Sequence, residues 1–239
     1  MEITNFWVYF AARPLFWIVI TLMAFLLAMA LNRKVGGSAL LHPVLVAMVL
    51  IIVLLQLSGT DYDTYFEGAQ FIHFLLGPAT VALAVPLFDH RERIRRLLVP
   101  LSVACISGSL TAVVSTLLIG QLLGASDALL LSLAPKSVTS PIAIGIADQI
   151  GGYPSLAAGL ALMTGVIGCL LAPLVFKMLK TRSETAIGFS LGLSAHGFGT
   201  AYAMQRSTLT GAFAGLAMGL TGVLSSLLIP LVVRLMGLS

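Results

Sequence analysis

Residues 134–143 read APKSVTSPIA. Lys136 and the hydroxyls of Ser137, Thr139 and Ser140 stand between Pro135 and Pro141. On either side the chain is oily. The protein is 59% hydrophobic and only 9% charged, with a mean hydropathy of +1.05. Soluble domains carry roughly 25% charged residues, and long apolar runs mark membrane spans. The stretch is therefore a polar break inside a membrane protein, and its depth decides how the fold is read.

Apolar runs predict spans near 14–31, 39–57, 68–88, 97–122, 155–180 and 211–236. Two further stretches, 127–150 and 184–206, are apolar but interrupted. The expected fold is an all-α polytopic integral membrane protein with about 6–8 membrane segments, some of them broken or re-entrant. A single transmembrane domain, 1–239, leaves no room for a soluble catalytic domain. The net charge of +4 reflects basic residues at span ends rather than a nucleic-acid surface. The N-terminus lacks the pattern of a removable signal peptide. Phe6, Trp7, Tyr9 and Trp17 read as an interfacial aromatic belt. Cys105 and Cys169 are isolated, giving neither a disulfide framework nor a metal pattern.

Lys and Arg set the orientation. Asn32-Arg33-Lys34 and the run DHRERIRR at 89–96 are expected on the cytoplasmic side, and the acidic loop GTDYDTYFEG at 58–67 outside. RERIRR reads as a surface anchor to anionic lipid. Lys177, Lys180 and Arg182 fall inside if 127–150 is re-entrant and outside if it crosses; the sequence leaves both open.

An internal echo recurs at a spacing of 57. TGVIGCLLAPLVFKML (164–179) aligns with TGVLSSLLIPLVVRLM (221–236). The same offset pairs Ser107-Gly108 with Thr164-Gly165 and brings Thr80, Ser137 and Ser194 into register. Paired interrupted helices in repeated halves point to a transporter binding site.

A helix rises about 1.5 Å per residue through a core about 30 Å thick. Counting from Asp127, Lys136 comes out roughly 13 Å deep. Thr80, counted from Asp89, and His196, counted from Arg206, reach similar depths. A lone charge at the midplane costs at least about 2.5–3.5 kcal/mol, so it must face protein or a wet cavity. Ala134 and Ser140 precede prolines and are biased away from the helical region. Ser140-Pro141 reads as an N-cap with a first-turn proline, starting a half-helix whose positive end faces Lys136. A cation, a helix end and hydroxyls make an anion site. The second break supplies Ser194, His196 and Thr200 among Gly192, Gly197 and Gly199. His196 is the candidate for a coupled proton.

Each residue has a plainer alternative. Lys136 reads also as a snorkelling surface lysine, His196 as a packing residue, and Thr80 as bonding back to its own helix. The glycines serve equally for tight helix packing. No nucleophile–base set, phosphate-cradling loop or metal cluster is evident, so neither an enzyme nor a bound cofactor is expected.

GPATVALAVPLF, APKSVTSPIAIGIADQIGG and GLSAHGFGTAYA together resemble the LrgB/CidB family, over roughly Pro14 to the C-terminus. That family is similar to the membrane part of the plastid glycolate/glycerate translocator. The PKSVT-PIA motif is the specific part. The resemblance implies one of two functions. One is carriage of small monocarboxylates of the glycolate, glycerate, lactate or pyruvate type. The other is holin/antiholin-like regulation of murein hydrolase export and autolysis. It also implies a smaller LrgA/CidA-like membrane partner, a possible homo-oligomer and a bacterial cell (inner) membrane. Motif by motif it carries over Pro135, Lys136, Ser137, Thr139, Pro141, His196, Gly197, Gly199 and Thr200. Ser140 stands where the family often has threonine, which keeps the hydroxyl. The substrate carboxylate is expected at Lys136, with Ser137, Thr139, Ser140, Thr200 and Thr80 as further polar contacts.

Overall fold

The computed structural model describes residues 14–36 and 41–238, with the side chains of 14, 73, 76 and 80 left aside. Phe6, Trp7 and Tyr9 lie outside the described residues. All regular structure among the described residues is helical. Five helical stretches are long and apolar enough to cross a membrane: Leu15–Lys34, Tyr62–Asp89, Leu98–Leu122, Pro154–Met178 and Thr208–Leu235. Pro43–Ser58 is a shorter apolar helix. The all-α polytopic expectation therefore holds. Two compact units are present, Met1–Ala82 and Leu83–Ser239.

The first unit holds α1 (Pro14–Lys34), α2 (Pro43–Ser58), α3 (Tyr62–Phe74) and α4 (Leu76–Ala82). Helix α1 packs on both α2 and α3. Small residues make the close approach: Ala24 and Ala28 meet Ala47 and Ile51. Trp17 is fully buried, not part of an interfacial belt. Gly68 makes room for it, since a methyl there would lie 2.5 Å from Trp17 Cδ1. Its ring meets Tyr65 edge-on at 5.5 Å. The interruption expected within 68–88, in the stretch LLGPATVALAVP around Thr80, is present: helix breaks at Leu75 and Leu83, with Thr80 in the short α4 between them.

The second unit holds α5 (Ala84–Asp89), α6 (Arg91–Arg96), α7 (Leu98–Leu122), α8 (Asp127–Leu133), α9 (Ser140–Ile150), α10 (Pro154–Met178), α11 (Glu184–Arg206) and α12 (Thr208–Leu235). Helices α7, α10 and α12 are the membrane-length elements. The two interrupted segments lie between them.

The first is a re-entrant hairpin. Gly151 ends α9 in the left-handed conformation, φ 85°, and the chain turns back onto α8. A methyl on Gly152 would lie 2.8 Å from the Ser132 backbone nitrogen. The Tyr153 N–H donates to Ser132 Oγ at 2.7 Å. In one continuous crossing helix, residues 132 and 153 would stand about 30 Å apart. The segment therefore enters and leaves at the same end of the unit. The alternative that the sequence left open is resolved in favour of re-entrance.

The second interruption has the same shape. His196 has φ 38°, ψ −119°, outside any helix. Helical chain on either side folds back there. The missing Cβ of Gly199 would fall on the Leu191 carbonyl oxygen. Ile187 and Leu191 share a core with Ala203 across the hairpin. Helix α12 lies along both arms: Gly188 and Gly192 abut the carbonyls of Thr210 and Ala214, and Thr200 reaches Met218. The α11–α12 packing is the most extensive in the protein.

The hairpins belong to opposite ends. The first packs with the late half of α7 and the early half of α10, through Leu117, Leu130, Ile146 and Ala157. The second packs with the early half of α7, through Leu101, Cys105 and Phe189, and with the late half of α10, through Ala172. Helix α7 plus the first hairpin, and α10 plus the second, are thus inverted copies of one unit. This gives a physical form to the part of the 57-residue echo that pairs α7 with α10 and one hairpin with the other; the match of 164–179 with 221–236 joins α10 to α12, which lies outside the two copies. The inverted relation also settles the charge pattern of this unit. Arg91, Arg93, Arg95, Arg96, Lys177, Lys180, Arg182 and Arg206 all fall at one end, with Arg234 at the other. The positive-inside rule assigns the basic end to the cytoplasm.

Candidate functional site

The two hairpin tips meet at the height where the end cores stop. On α7 that height lies between Cys105 and Val113, and on α10 between Ala161 and Ala172. A cavity of about 780 Å³ opens there. Its polar lining is Ser107 and Thr111 from α7, Lys136 and Ser137 from the first tip, Thr164 from α10 and Ser194 from the second tip. Apolar lining comes from Leu193, Ile167 and small residues, with Gly108 and Gly168 holding the walls thin.

Lys136 is half-buried. Its Nζ donates to Ser137 Oγ at 3.4 Å, a weak contact, and among the described residues no acidic side chain lines the cavity. The ammonium thus keeps donor capacity directed at the cavity. Burial of an unpaired cation costs several kcal/mol in hydrocarbon, and an open, hydroxyl-lined space lowers that cost. The arrangement is chemically an anion receptor: one cation, five neutral hydroxyls, and no carboxylate among the described lining residues.

The tip itself differs from expectation by one residue. Ala134 keeps helical angles, φ −50°, ψ −46°, despite the proline that follows. The N-cap of α9 is Thr139, with extended angles, φ −63°, ψ 148°; Ser140 and Pro141 are the first helical residues. Proline at the second helical position is compatible with the same logic, because its absent N–H is one of the unpaired donors. Thr139 makes no side-chain cap bond. Ser140 Oγ reaches the Ala158 carbonyl at 3.4 Å and ties the half-helix to α10.

Of the expected site residues, Lys136 and Ser137 line the cavity. Thr139 and Ser140 sit beside it, at the start of α9, outside the lining. His196 points away: its Nε2 lies 2.9 Å from the Ala161 carbonyl and its ring fills the space left by Gly165. Since a carbonyl only accepts, Nε2 carries the proton in this bond. Thr200 is buried and donates to the His196 carbonyl at 2.8 Å. Gly199 is a packing contact; Gly197 is exposed, with open space where a Cβ would stand. The side chain of Thr80 lies outside the described residues. Sequence reasoning left Ser107, Thr111, Thr164 and Leu193 out of the site. The 57-residue pairing of Ser107 with Thr164 was the available signal. No cluster of His, Cys, Asp and Glu suited to a metal occurs among the described residues.

The model of the LrgB-like family matches residues 21–235. The chain is 33% identical over 224 residues to antiholin-like protein LrgB of Bacillus subtilis (strain 168), covering 94% of this chain and 97% of that one. It is 36% identical over 218 residues to the uncharacterized protein YxaC of the same organism, covering 91% and 94%. Antiholin-like protein LrgB of Bacillus mycoides is 30% identical over 224 residues, covering 94% and 97%. No solved structure matches. Matched nearly from end to end, this membrane protein belongs to the LrgB-like family.

Proposed function

We propose that the protein is a carrier of small monocarboxylates of the glycolate, glycerate, lactate or pyruvate type, in the cell membrane. The observation that supports this most is Lys136, without an acidic partner in the cavity, at the tip of a re-entrant hairpin. Inverted repeats with broken helices meeting at mid-depth are the arrangement in which transporters hold substrate. The carboxylate meets Lys136; Ser107, Thr164 and Ser194, which donate to their own helices, accept from a substrate hydroxyl, and Thr111 is the hydroxyl left to donate to a keto oxygen. Uptake is read as proton-coupled. His196 anchors the second tip and is not assigned the proton.

A second reading is favoured by a different observation. Curated relatives spanning nearly the whole chain are named antiholin-like, and those names back a regulator of murein hydrolase export and autolysis better than they back a carrier. In that role the protein works beside a smaller LrgA/CidA-like partner or as a homo-oligomer, and the cavity serves assembly.

Proteoliposomes separate the two. Under an imposed pH gradient, with and without the smaller partner, the carrier gives saturable uptake of labelled lactate, glycolate or pyruvate and retains a trapped dye. Dye release or a silent membrane, with no saturable uptake, supports the regulator.

A further inference from the structure

The cavity carries the two-fold character of the repeat in its lining. At an offset of 57, Ser107 pairs with Thr164, Thr111 with Gly168, Lys136 with Leu193 and Ser137 with Ser194, and all eight line the same space. The pseudo-symmetry axis of the inverted copies therefore runs through the cavity. The serine pair on the tips is conserved in chemistry, as is the hydroxyl pair on α7 and α10. The symmetry fails most sharply at one pair: a cation on the first tip faces an aliphatic residue on the second.

We infer that Leu193 sets the charge selectivity of the cavity, by putting an apolar group at the position equivalent to Lys136. The inference rests on the carrier reading. Leu193 is held in place by packing against α7: a methyl on Gly108 would lie 2.9 Å from Leu193 Cδ2. A substrate with one carboxylate satisfies both tips, its charge on Lys136 and its carbon end on Leu193 and Ile167. A dicarboxylate would bring its second charge against Leu193. An ionised carboxylate held against an aliphatic wall loses hydration there without gaining a partner, which disfavours it relative to the monocarboxylate.

The equivalence makes a stringent test. In proteoliposomes containing the full chain, Leu193→Lys is expected to gain uptake of labelled succinate or malonate that the wild type lacks. Lys136→Leu is expected to lose lactate uptake by at least about tenfold, as for removal of a charged hydrogen-bond partner. Lys136→Leu/Leu193→Lys moves the cation to the other tip at constant net charge, and is expected to regain most of the lactate uptake. Monodispersity on size exclusion reports folding, and Leu193→Gln controls for a long neutral side chain. If Leu193→Lys fails to fold, Ser194→Lys, at the exposed neighbouring position of the same tip, decides: dicarboxylate uptake by the folded variant supports the role of this tip, and its absence overturns it. A folded, lactate-transporting Leu193→Lys protein that ignores dicarboxylates, or a folded double variant without rescue, overturns the role of Leu193 and leaves the carrier intact. Wild-type protein without lactate uptake removes the carrier and this inference together.

Discussion

Gly199 lies against the backbone carbonyl of Leu191, eight residues earlier in the chain. In an unbroken helix the two would stand about 12 Å apart. That one contact turns the segment 184–206 from a span into a hairpin. With Gly152 on Ser132 in the first hairpin, it fixes the inverted relation of the two repeats and the meeting of their tips.

Sidedness follows directly. In a background with Cys105 and Cys169 replaced by alanine, single cysteines at Ala125 and at the exposed Tyr153 are expected to react with an impermeant maleimide from the same face of the membrane. Cysteines at Arg182 and Ser207 are expected to react from the opposite face. Reaction of positions 125 and 153 from different faces would mean that 127–150 crosses.

His196 provides a test of the second tip. Its angles, φ 38°, ψ −119°, fall near the first central position of a type II′ turn, which favours glycine. A non-glycine residue there costs about 1–3 kcal/mol, held by other contacts. Here the contact is the bond to the Ala161 carbonyl. His196→Ala loses the bond and keeps the strain; His196→Gly loses the bond and relieves it. Thermal unfolding in detergent is therefore expected to rank wild type above Gly and Gly above Ala, with the Gly–Ala gap about 1 kcal/mol or more. An Ala variant more stable than Gly, the ordinary helix order, would show that the tip is not built this way.

Close packing of the second hairpin on α12 predicts a contrast between glycines. Gly192 abuts the Ala214 carbonyl, whereas a methyl on Gly159 meets nothing within 4 Å. Gly192→Ala is expected to lower stability by about 1–3 kcal/mol through overpacking. Gly159→Ala is expected to be neutral or slightly stabilising, as alanine for glycine in a helix. Equal melting temperatures for the two variants would contradict the placement of α12 along the hairpin.

The spans were legible because apolar runs of membrane length have no other stable use. The breaks at 134–139 and at His196 were legible from proline, glycine and hydroxyl residues amid oil. Whether those segments cross was not, since composition is the same for a crossing and a hairpin; the contacts of Gly152 and Gly199 decide it. The interruption around Thr80 was legible in the same way, and helix stops at Leu75 and Leu83, although Pro78 itself is taken into α4. His196 and Thr200 looked like site residues because polar groups at mid-depth attract that reading. Their bonds to the Ala161 and His196 carbonyls show that backbone acceptors can take the donors of such mid-depth polar groups. The real wall of the cavity, Ser107, Thr111 and Thr164, sat on helices without breaks. There, isolated hydroxyls also bond back to their own carbonyl, as Ser107 and Thr164 do to Val103 and Leu160, and sequence alone does not separate the two uses.

The central claim is that Lys136 receives the substrate's charge. The most direct measurement is the concentration dependence of labelled lactate counterflow in proteoliposomes, comparing wild type, Lys136→Ala and Lys136→Arg. The account predicts saturable counterflow in wild type, an apparent affinity about 10- to 150-fold weaker in the alanine variant, and partial retention in the arginine variant. Counterflow in folded Lys136→Ala that matches wild type in affinity and rate would contradict it.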